Sequence, residues 1–535
     1  MAGKVLKKAF AVYPSVKMFT LNDKKKLVFA KELLFGDYIK PLLNEDGTYK
    51  IHTVTKKDKN GNVKTNKDGT VKKEEYIHVH FRGIDGYIQE SEMQTKRPLE
   101  VNFVDVGQGD GCHIVTPDDR HFVIDAGEKD NMFRYLKWRF CLRKKENKSP
   151  ELTVVISHPD ADHYSGFGKI FADPKKFPLN KIYHNGLVEA GSDLKYLGTL
   201  KTINDQKYVT ELCDDEKAFK QRVEGVKAGE IYPGKDSLGE FMKLLIKAKV
   251  EKESLRQGSA PIYDNAKCDM KLEVMAPVAE MVDGKPALRV FGSGVGPTKN
   301  GHSIVLKLTI GHLRMLLGGD LNTLSEYWLI QHYSGYDVAE IKNKLASKKL
   351  TDQEREKLEA DLKNAIQLAR KQLEVDIAKS CHHGSADFSS EFLQVLNPIA
   401  TIISSGDEEP HCHPRPDTLG TIGKYSRGER SLIFSTELAR SGKEFVEMNT
   451  KTEKKAENKE QNDDKQEKPE ELSAQKKRER VVTVYGMINV RTDGEKVVIA
   501  QKLEAKASGR SWDKHMLVWK EEKQAFEYVK DKNND

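Results

Sequence analysis

The sequence predicts an α/β fold with a small all-β unit at its N-terminus, and two patterns lead to this prediction. Between residues 99 and 184, short apolar runs alternate with turns and with one helical segment, as in an α/β domain. Before residue 99, short runs of alternating apolar and polar residues are separated by Asn-Gly and Asp-Gly pairs, which mark tight hairpin turns.

Length and composition exclude several classes of protein. The chain has 535 residues, 38% of them hydrophobic, which is enough for a core divided among roughly two to four domains. No apolar run approaches the ~18 residues that span a bilayer, so we expect no membrane partner. No secretory leader is recognisable and the six cysteines have no paired spacing, so we predict free thiols and a cytoplasmic location. The formal charge of +7 permits a polyanionic substrate.

Residues 1–98 form the predicted β unit. Within 76–81, the apolar Ile77, Val79 and Phe81 alternate with histidines, as in a half-buried strand. The segment 86–90 resembles the closing strand of a bacterial SH3-like barrel. Two interpretations stay open at this point: a unit that binds a protein partner, and a small β unit without a ligand.

The α/β domain is predicted to occupy residues 99–450, interrupted by two polar inserts at about 186–265 and 338–374. The second insert contains a capping box, Thr351 with Glu354, ahead of an apolar stripe at helical spacing. This pattern predicts a helix pair that packs within the molecule or, as the alternative, against a partner.

The rest of the chain divides in two. Residues 451–480 hold 10 Lys and Arg and 9 Asp and Glu, with one Leu and no aromatic residue, which predicts a flexible linker. In residues 481–535, two strand-like runs flank an Asp-Gly turn at 492–495, which is typical of a β-hairpin. We expect this hairpin to pack back on the sheet of the α/β domain.

The strongest functional signal is the segment 157–163, which follows the apolar run 152–156 and therefore lies on a loop at the end of a strand. Four potential metal ligands fall within six positions of this loop: His158, Asp160, Asp162 and His163. On a tight loop, the first two can reach one ion while the last two reach a second. Imidazole and carboxylate ligands together suit Zn²⁺, Mn²⁺ or Fe²⁺.

This loop resembles the His-x-Asp-x-Asp-His signature of the metallo-β-lactamase fold. The segments 104–110 and 122–127 resemble the opening motifs of its ComEC/Rec2-type branch, which includes the hydrolase domain of DNA-uptake channels. The resemblance covers roughly 100–184, 268–335 and 376–445, with the hairpin near 481–505. It implies an αββα sandwich with helical inserts, in a stand-alone hydrolase.

The resemblance also implies further site residues. Asp110 and Asp125 match early motifs in which an Asp orients metal ligands, although both also suit turns beside glycines. Asp320 matches the Asp that bridges two metals in the family. His382 and His383 match a His-His-Gly-Ser motif, in which one histidine completes a metal shell and the sequence does not say which.

Three more residues match weaker parts of the family pattern. His302 lies 18 residues before Asp320, as in classical members, but close relatives often lack this ligand, so a histidine at a strand start is the alternative. His413 belongs to a late His-Pro loop, where it could contact a phosphate or protonate the leaving group. Arg415 could clamp a phosphate through its planar donor fork, and both positions also suit the rim of a site. Asp162 and His413 are the predicted catalytic residues.

The predicted cofactors are two divalent ions, Zn²⁺ or Mn²⁺, which together activate water and neutralise charge on a phosphoryl oxygen. The predicted function is a metal-dependent nuclease that cleaves DNA, acting in anti-phage defence or DNA processing. The alternatives are a hydrolase of a small phosphodiester or signalling nucleotide and a catalytically silent binding or regulatory protein. A protein partner at the N-terminal unit or at the inserts is a further expectation.

Overall fold

The computed structural model describes residues 5–58, 62–142, 144, 146–191, 193–231, 238–406, 412–437, 487–507 and 510–530. The predicted linker at 451–480 lies outside these residues. The described residues form helices and four sheets of 8, 10, 4 and 7 strands, so the α/β class is confirmed. Among the described helices, none combines the length and the apolar character that a bilayer crossing requires.

The first sheet is formed by eight strands near the N-terminus: β1 (Ala9–Ala11), β2 (Ser15–Leu21), β3 (Leu27–Leu34), β4 (Tyr38–Pro41), β5 (Ile51–Thr55), β6 (Lys73–Phe81), β7 (Ile84–Ile88) and β8 (Met93–Gln94). Their order is β3-β2-β7-β6-β4-β1-β8, with β5 also paired to β6. In β6, Ile77, Val79 and Phe81 are buried while His78 and His80 lie half-exposed, so the predicted alternation is confirmed.

The next part of the chain forms the start of the α/β region and the first insert. Its elements are β9 (Leu99–Phe103), β10 (Gly111–Val115), β11 (His121–Ala126), α1 (Asn131–Arg139), β12 (Leu152–Val155), α2 (Ala161–Tyr164), α3 (Gly168–Phe171), β13 (Leu179–His184), β14 (Thr199–Ile203), β15 (Gln206–Thr210), α4 (Glu216–Ala228), α5 (Glu240–Lys247), β16 (Lys252–Ser254) and β17 (Tyr263–Asn265).

The remaining described residues continue the region and end in a group of antiparallel strands. Their elements are β18 (Met270–Ala276), β19 (Glu280–Val282), β20 (Lys285–Arg289), α6 (Val295–Gly301), β21 (Val305–Ile310), β22 (Leu313–Leu317), α7 (Thr323–Ser334), α8 (Val338–Leu345), α9 (Asp352–Leu373), β23 (Ile377–Lys379), α10 (Ser390–Leu396), β24 (Ala400–Ile403), α11 (Pro416–Tyr425), β25 (Leu432–Ser435), β26 (Ile488–Thr492), β27 (Lys496–Ala507), β28 (Arg510–Lys520) and β29 (Ala525–Val529).

Two large sheets hold the central part of the molecule. The 10-stranded sheet has the order β16-β13-β12-β11-β10-β9-β26-β27-β28-β29, and its strands β11, β12, β13 and β16 run parallel. The 7-stranded sheet has the order β17-β18-β21-β22-β23-β24-β25, with parallel pairing from β22 to β25. The small sheet β14-β15-β20-β19 joins part of the first insert to the segment before α6.

Three apolar clusters hold these layers together. One contains buried residues of both large sheets, for example Phe103 in β9 and Leu308 in β21. A second packs α1, α4 and α5 on strands of the 10-stranded sheet. A third packs α7, α9 and α10 on strands of the 7-stranded sheet. Burial of these apolar side chains is the main term that stabilises the layered arrangement.

The second insert begins its long helix as the sequence predicts. At the start of α9, the Thr351 hydroxyl accepts a hydrogen bond from the Glu354 backbone N–H, and the Glu354 carboxylate accepts one from the Thr351 N–H. The capping box is therefore confirmed. The apolar stripe of α9 buries Ala365, Ala369 and Leu373 in the cluster shared with α7 and α10, so it packs within the molecule.

The C-terminal hairpin lies inside the 10-stranded sheet. β26 pairs with β27 across the predicted Asp-Gly turn, and its other edge pairs with β9. Arg491 in β26 contacts the buried Glu100 of β9 at 2.8 Å. Farther along, β28 reaches the first sheet, where Lys514 contacts Glu32 of β3 at 2.5 Å. Residues 481–486, the start of the predicted hairpin, lie outside the described part of the chain.

Candidate metal centre

The candidate site lies at the carboxyl ends of parallel strands in the two large sheets, where ligand sites of α/β proteins commonly form. The loop after β12 contributes residues 158–163 to the site, and the loop after β22 contributes Asp320. The turn after β23 brings His383, and the segment after β24 leads to His413.

Gly109 allows the loop between β9 and β10 to reach this site. Its φ is +101°, and a Cβ atom at this position would lie 1.7 Å from the carbonyl oxygen of Asp162. A side chain there would clash with the backbone of the ligand loop, so only glycine permits the close approach that places the next residue, Asp110, in the site.

Four side chains converge in the centre of the site: Asp162, His163, Asp320 and His383. One ligand atom from each lies within 4.8 Å of the others. Asp320 Oδ2 is 3.2 Å from His163 Nε2 and 3.1 Å from His383 Nε2. Asp162 Oδ2 lies 3.5 Å from His383 Nε2. We call these four residues the central cluster.

The two histidines of the central cluster are held by their Nδ1 atoms. His163 Nδ1–H donates to the Asp125 carboxylate at 2.8 Å, and His383 Nδ1–H donates to the Ser404 carbonyl at 3.1 Å. Their Nε2 atoms are buried and face the Asp320 carboxylate, without a well-aligned hydrogen bond among the described residues. An imidazole held in this way directs the Nε2 lone pair toward the cluster, as metal-binding histidines do.

His158 adds a third imidazole beside the cluster. Its ring centroid is 4.2 Å from that of His163, and its Nδ1 lies 3.0 Å from the Ser157 hydroxyl and 3.2 Å from the Ser303 hydroxyl. Its Nε2 is also buried without a hydrogen-bond partner in the described part of the chain. The burial of three such nitrogens is costly unless another group satisfies them.

Asp110 and Asp125 lie behind the histidines, on the side away from Asp320. Asp125 accepts a hydrogen bond from the Ser157 N–H at 2.8 Å while it binds His163, so it fixes both the ligand loop and the ring. Asp110 lies 3.2 Å from His383 Nδ1 and contacts the ammonium of Lys379. With His163, the two carboxylates form a second group with possible metal-ligand geometry.

Carboxylate charge governs protonation in the central cluster. Burial opposes a charged imidazole, but Asp320 and Asp125 outweigh it and hold the pKa of His163 well above its usual value. Asp320 and Asp110 raise the pKa of His383 in the same way. Burial raises the pKa of Asp320, but His163 and His383 outweigh it, so this pKa lies well below its usual value. The negative potential that draws protons to the rings also favours a divalent cation.

Lys379, which is buried at the end of β23, is a site residue that the sequence does not predict. Burial alone would lower the pKa of its ammonium, but the charges of Asp110 and Asp320 raise it, so Lys379 stays protonated. It compensates part of the negative charge that the carboxylates concentrate here. The only available signal was a charged residue that ends an otherwise apolar strand.

The structure does not bring Asp160 or His302 into the central cluster. Asp160 accepts a hydrogen bond from the Ala161 N–H at the start of α2, and its carboxylate lies 3.5 Å from the Lys299 ammonium. His302 Nε2–H donates to the Arg289 carbonyl at 2.7 Å. The motif that contains His302 reaches the site through Ser303, whose hydroxyl accepts a hydrogen bond from the Asp320 N–H at 2.8 Å.

The three remaining predicted residues lie at the edge of the site. The His413 ring is 6.0 Å from the His382 ring and 6.1 Å from the His383 ring, measured between centroids. His382 has a buried Nδ1 without a hydrogen-bond partner among the described residues. The Arg415 N–H donates to the Gly384 carbonyl at 2.8 Å, and its side chain is exposed. Of the two predicted residues on the late loop, His413 and Arg415, it is therefore His413 whose side chain contacts the central cluster more closely.

The donor set fits a divalent transition metal. The central cluster supplies two imidazole nitrogens and two carboxylates, and His158 can supply a third imidazole. This mixture of ligands suits Zn²⁺, Mn²⁺ or Fe²⁺. The buried, unpartnered Nε2 atoms and Oδ1 of Asp320 are consistent with that use.

Comparisons with known proteins gave likenesses at the level of structure only. No protein-family model and no curated protein matches the sequence. A solved structure of Igni18, described as a novel metallo hydrolase from the archaeon Ignicoccus hospitalis, is similar with 10% identity and a TM-score of 0.29. Another, of Tm1679, described as a metal-dependent hydrolase of the β-lactamase superfamily, has 12% identity and a TM-score of 0.25. Each alignment covers 63% of this chain and 95% of the other.

Proposed function

We propose that this protein is a metal-dependent hydrolase of the metallo-β-lactamase fold that cleaves phosphodiester bonds in nucleic acid, with DNA as the preferred substrate. The observation that carries the proposal is the meeting of His163 Nε2, His383 Nε2 and Asp320 Oδ2 within about the length of a hydrogen bond. The alternative, a catalytically silent binding protein, does not require buried imidazoles that converge on one carboxylate oxygen.

The chain's own residues have distinct roles in this proposal. Asp162, His163, Asp320 and His383 would hold divalent ions, Zn²⁺ or Mn²⁺, with His158 as a further ligand. Asp125 fixes the ring of His163 in the orientation that exposes Nε2 to the cluster. Lys379 holds Asp110 ionised and in place, so that Asp110 in turn supports His383. We further propose that the site holds two ions.

Bound divalent ions supply an activated water and stabilise negative charge on a phosphoryl oxygen. The His413 ring lies at the edge of the site, with its centroid 6.1 Å from that of His383. From there it can give a proton to the leaving oxygen. Arg415 follows on the same loop with an exposed side chain, and we propose that it contacts a phosphate farther along the substrate. A role in defence against phage stays a prediction.

The test is cleavage of end-labelled single- and double-stranded DNA in Mn²⁺ or Zn²⁺ by the parent protein and by Asp162→Ala. Asp193→Ala is the matched control, because this carboxylate is exposed and its ion pair is with Lys195 and not with a residue of the central cluster. We expect cleavage by the parent and by the control, and loss of both cleavage and Mn²⁺ binding in Asp162→Ala.

Each other outcome redirects the proposal. Equal cleavage by the parent and Asp162→Ala would assign the activity to a contaminant and contradict the proposed site. If the parent binds Mn²⁺ and hydrolyses bis(p-nitrophenyl) phosphate but leaves DNA intact, the same site serves a small phosphodiester. Absence of metal binding to the parent would refute the proposal.

A further inference from the structure

The positive charge of this protein is concentrated at its N-terminus. Residues 1–98 contain 20 Lys and Arg and 12 Asp and Glu, an excess of eight positive charges. Residues 99–535 contain 69 and 70, so the entire excess of the chain lies in the unit that forms the first sheet. A concentration of basic residues in one unit is typical of a surface that attracts a polyanion.

The first sheet presents five aromatic rings on one side of neighbouring strands, which we call the aromatic face: Phe19, His52, Tyr76, His78 and Tyr87. Tyr87 pairs across strands with both Phe19 and His78, and Tyr76 pairs with His52. Cross-strand partners project to the same side of a sheet, so the five rings share one surface. All five are half-exposed, opposite the buried row of β6.

The rings of the aromatic face contact one another. His78 stacks on Tyr87 with 4.8 Å between centroids, and His52 lies 5.5 Å from Tyr87. Phe19 meets Tyr76 edge to face at 5.9 Å. Within the described residues, the aromatic contacts of these five rings are all with members of the same group. The group is therefore a preformed aromatic platform on the solvent side of the sheet.

Three exposed lysines border the aromatic face. Lys17 precedes Phe19 by two residues on β2, and Lys50 precedes His52 by two residues, so both project to the same side. Lys40 pairs with His80 of β6 and shares that side as well. None of the three has an ion-pair partner among the residues that the structure describes.

The carboxylates on this side of the sheet are already engaged. Glu74 contacts Lys56, and Asp85 lies 2.7 Å from His80 Nδ1. Glu32 is buried under β28, where Lys514 contacts it. That contact covers the side of the sheet near Ser15, while the aromatic rings begin at Phe19 and continue away from it. Three lysines without an ion pair among the described residues therefore border the rings, while Glu74 and Glu32 on this side each have a lysine partner.

We propose that the aromatic face binds single-stranded nucleic acid. Unpaired bases stack on aromatic side chains, while lysines beside them contact the phosphates. In a duplex the base faces are covered by neighbouring bases and cannot stack on the rings. Duplex DNA could therefore make only phosphate contacts with the lysines of this surface. The inference rests on the proposed function in one respect: the strand bound here would be the substrate of the central cluster.

The test uses the full chain with EDTA, so that binding is measured without cleavage. The probe is a fluorescein-labelled oligo(dT) of about 20 nucleotides, followed by anisotropy from 50 to 300 mM NaCl. The lysine variant is Lys17→Gln with Lys40→Gln and Lys50→Gln. The matched control removes the same charge from exposed lysines outside the face, as Lys24→Gln with Lys67→Gln and Lys96→Gln.

We expect the lysine variant to bind at least ~10-fold more weakly than the control at low salt. The slope of log affinity against log salt should fall by about 2, because each lost phosphate contact on a single strand contributes about 0.7. A second variant, Tyr87→Leu, should lose roughly 5- to 100-fold in affinity with little change in the salt slope, because it removes stacking and no charge. Thermal unfolding of each variant checks that the first sheet is intact.

Two outcomes would overturn the inference. One is equal binding by the lysine variant and its control. The other is displacement of the probe by unlabelled duplex as efficiently as by unlabelled single strand. Failure of this inference about the aromatic face can be told apart from failure of the proposed function. If the parent cleaves DNA while the face variants bind normally, only the binding role of the aromatic face is contradicted. If the parent binds oligo(dT) but cleaves nothing in Mn²⁺, only the proposed nuclease activity is contradicted.

Discussion

Glu326 gives the sharpest test of the electrostatics, because it is a buried carboxyl group with little compensation. It lies on α7 with 2% of its surface exposed, and its carboxylate accepts a hydrogen bond from the Ser389 backbone N–H. Burial, helped by the charges of Asp387 and Glu391, raises its pKa to about 8 against the lowering effect of the Ser389 contacts. We expect Glu326 to be protonated in the folded protein at neutral pH.

Because folding raises the pKa of Glu326, this group stabilises the folded protein at low pH more than at high pH. The pKa rises from 4.5 in the unfolded chain to about 8 in the folded one. The folded state therefore holds this proton more tightly than the unfolded chain does. The resulting contribution to the free energy of unfolding is fully present below pH 4.5 and is lost as the pH rises through 8. A pKa difference of this size corresponds to ~5 kcal/mol in all, of which about 3 kcal/mol is lost between pH 5.5 and 8.5.

The perturbation is Glu326→Gln, which keeps an acceptor oxygen for Ser389 and cannot ionise. Urea unfolding of the parent and the variant at pH 5.5, 6.5, 7.5 and 8.5 gives the free energy of unfolding at each pH. The variant should gain about 3 kcal/mol relative to the parent across this range. Glu340→Gln is the control, because Glu340 is exposed on α8 and should follow the parent throughout. A constant difference between the parent and Glu326→Gln at all four values would refute the reasoning.

Three further predictions concern residues around the site and the second insert. Asp125→Asn should weaken Mn²⁺ binding by about 10- to 100-fold in calorimetric titration, because His163 loses the carboxylate that holds Nδ1–H; unchanged affinity would contradict this role. Lys379→Met should lower the free energy of unfolding by about 3–5 kcal/mol, because it leaves the Asp110 carboxylate buried without its cation; a neutral effect would mean that Asp110 has another compensating group. Thr351→Ala should cost ~1 kcal/mol in urea unfolding through loss of the α9 cap, and Thr351→Ser should restore it.

The local parts of the site were predictable from the sequence. The ligand loop after β12 is one short segment, so its residue types and its position after an apolar strand were visible together. The sequence also placed Asp320 at the end of a buried strand. It could not choose between His382 and His383, because the choice depends on the turn after β23, in which both residues have positive φ and only His383 turns to Asp320.

The non-local parts were not predictable in the same way. Lys379 meets Asp110 across 269 residues of sequence, and a single lysine in a strand has no local signal. Asp160 and His302 have the residue types and spacing of metal ligands, yet Lys299 and the Arg289 carbonyl engage them instead. The sheet extension by β28 and β29 and the small sheet of the first insert were missed, because their pairing partners lie far away in the chain.

The insertion of β26 next to β9 has a consequence for how the protein is made. β9 is complete once residue 103 has been synthesised, but its neighbour on one side is residues 488–492. At about 5–20 residues per second, a growing chain exposes that apolar strand edge for roughly 20 to 80 seconds before its partner emerges. An open edge of this kind pairs readily with other chains. Nascent chains of this protein are therefore expected to depend on holdase chaperones during synthesis, and messages truncated before residue 488 should yield aggregates rather than shorter folded proteins.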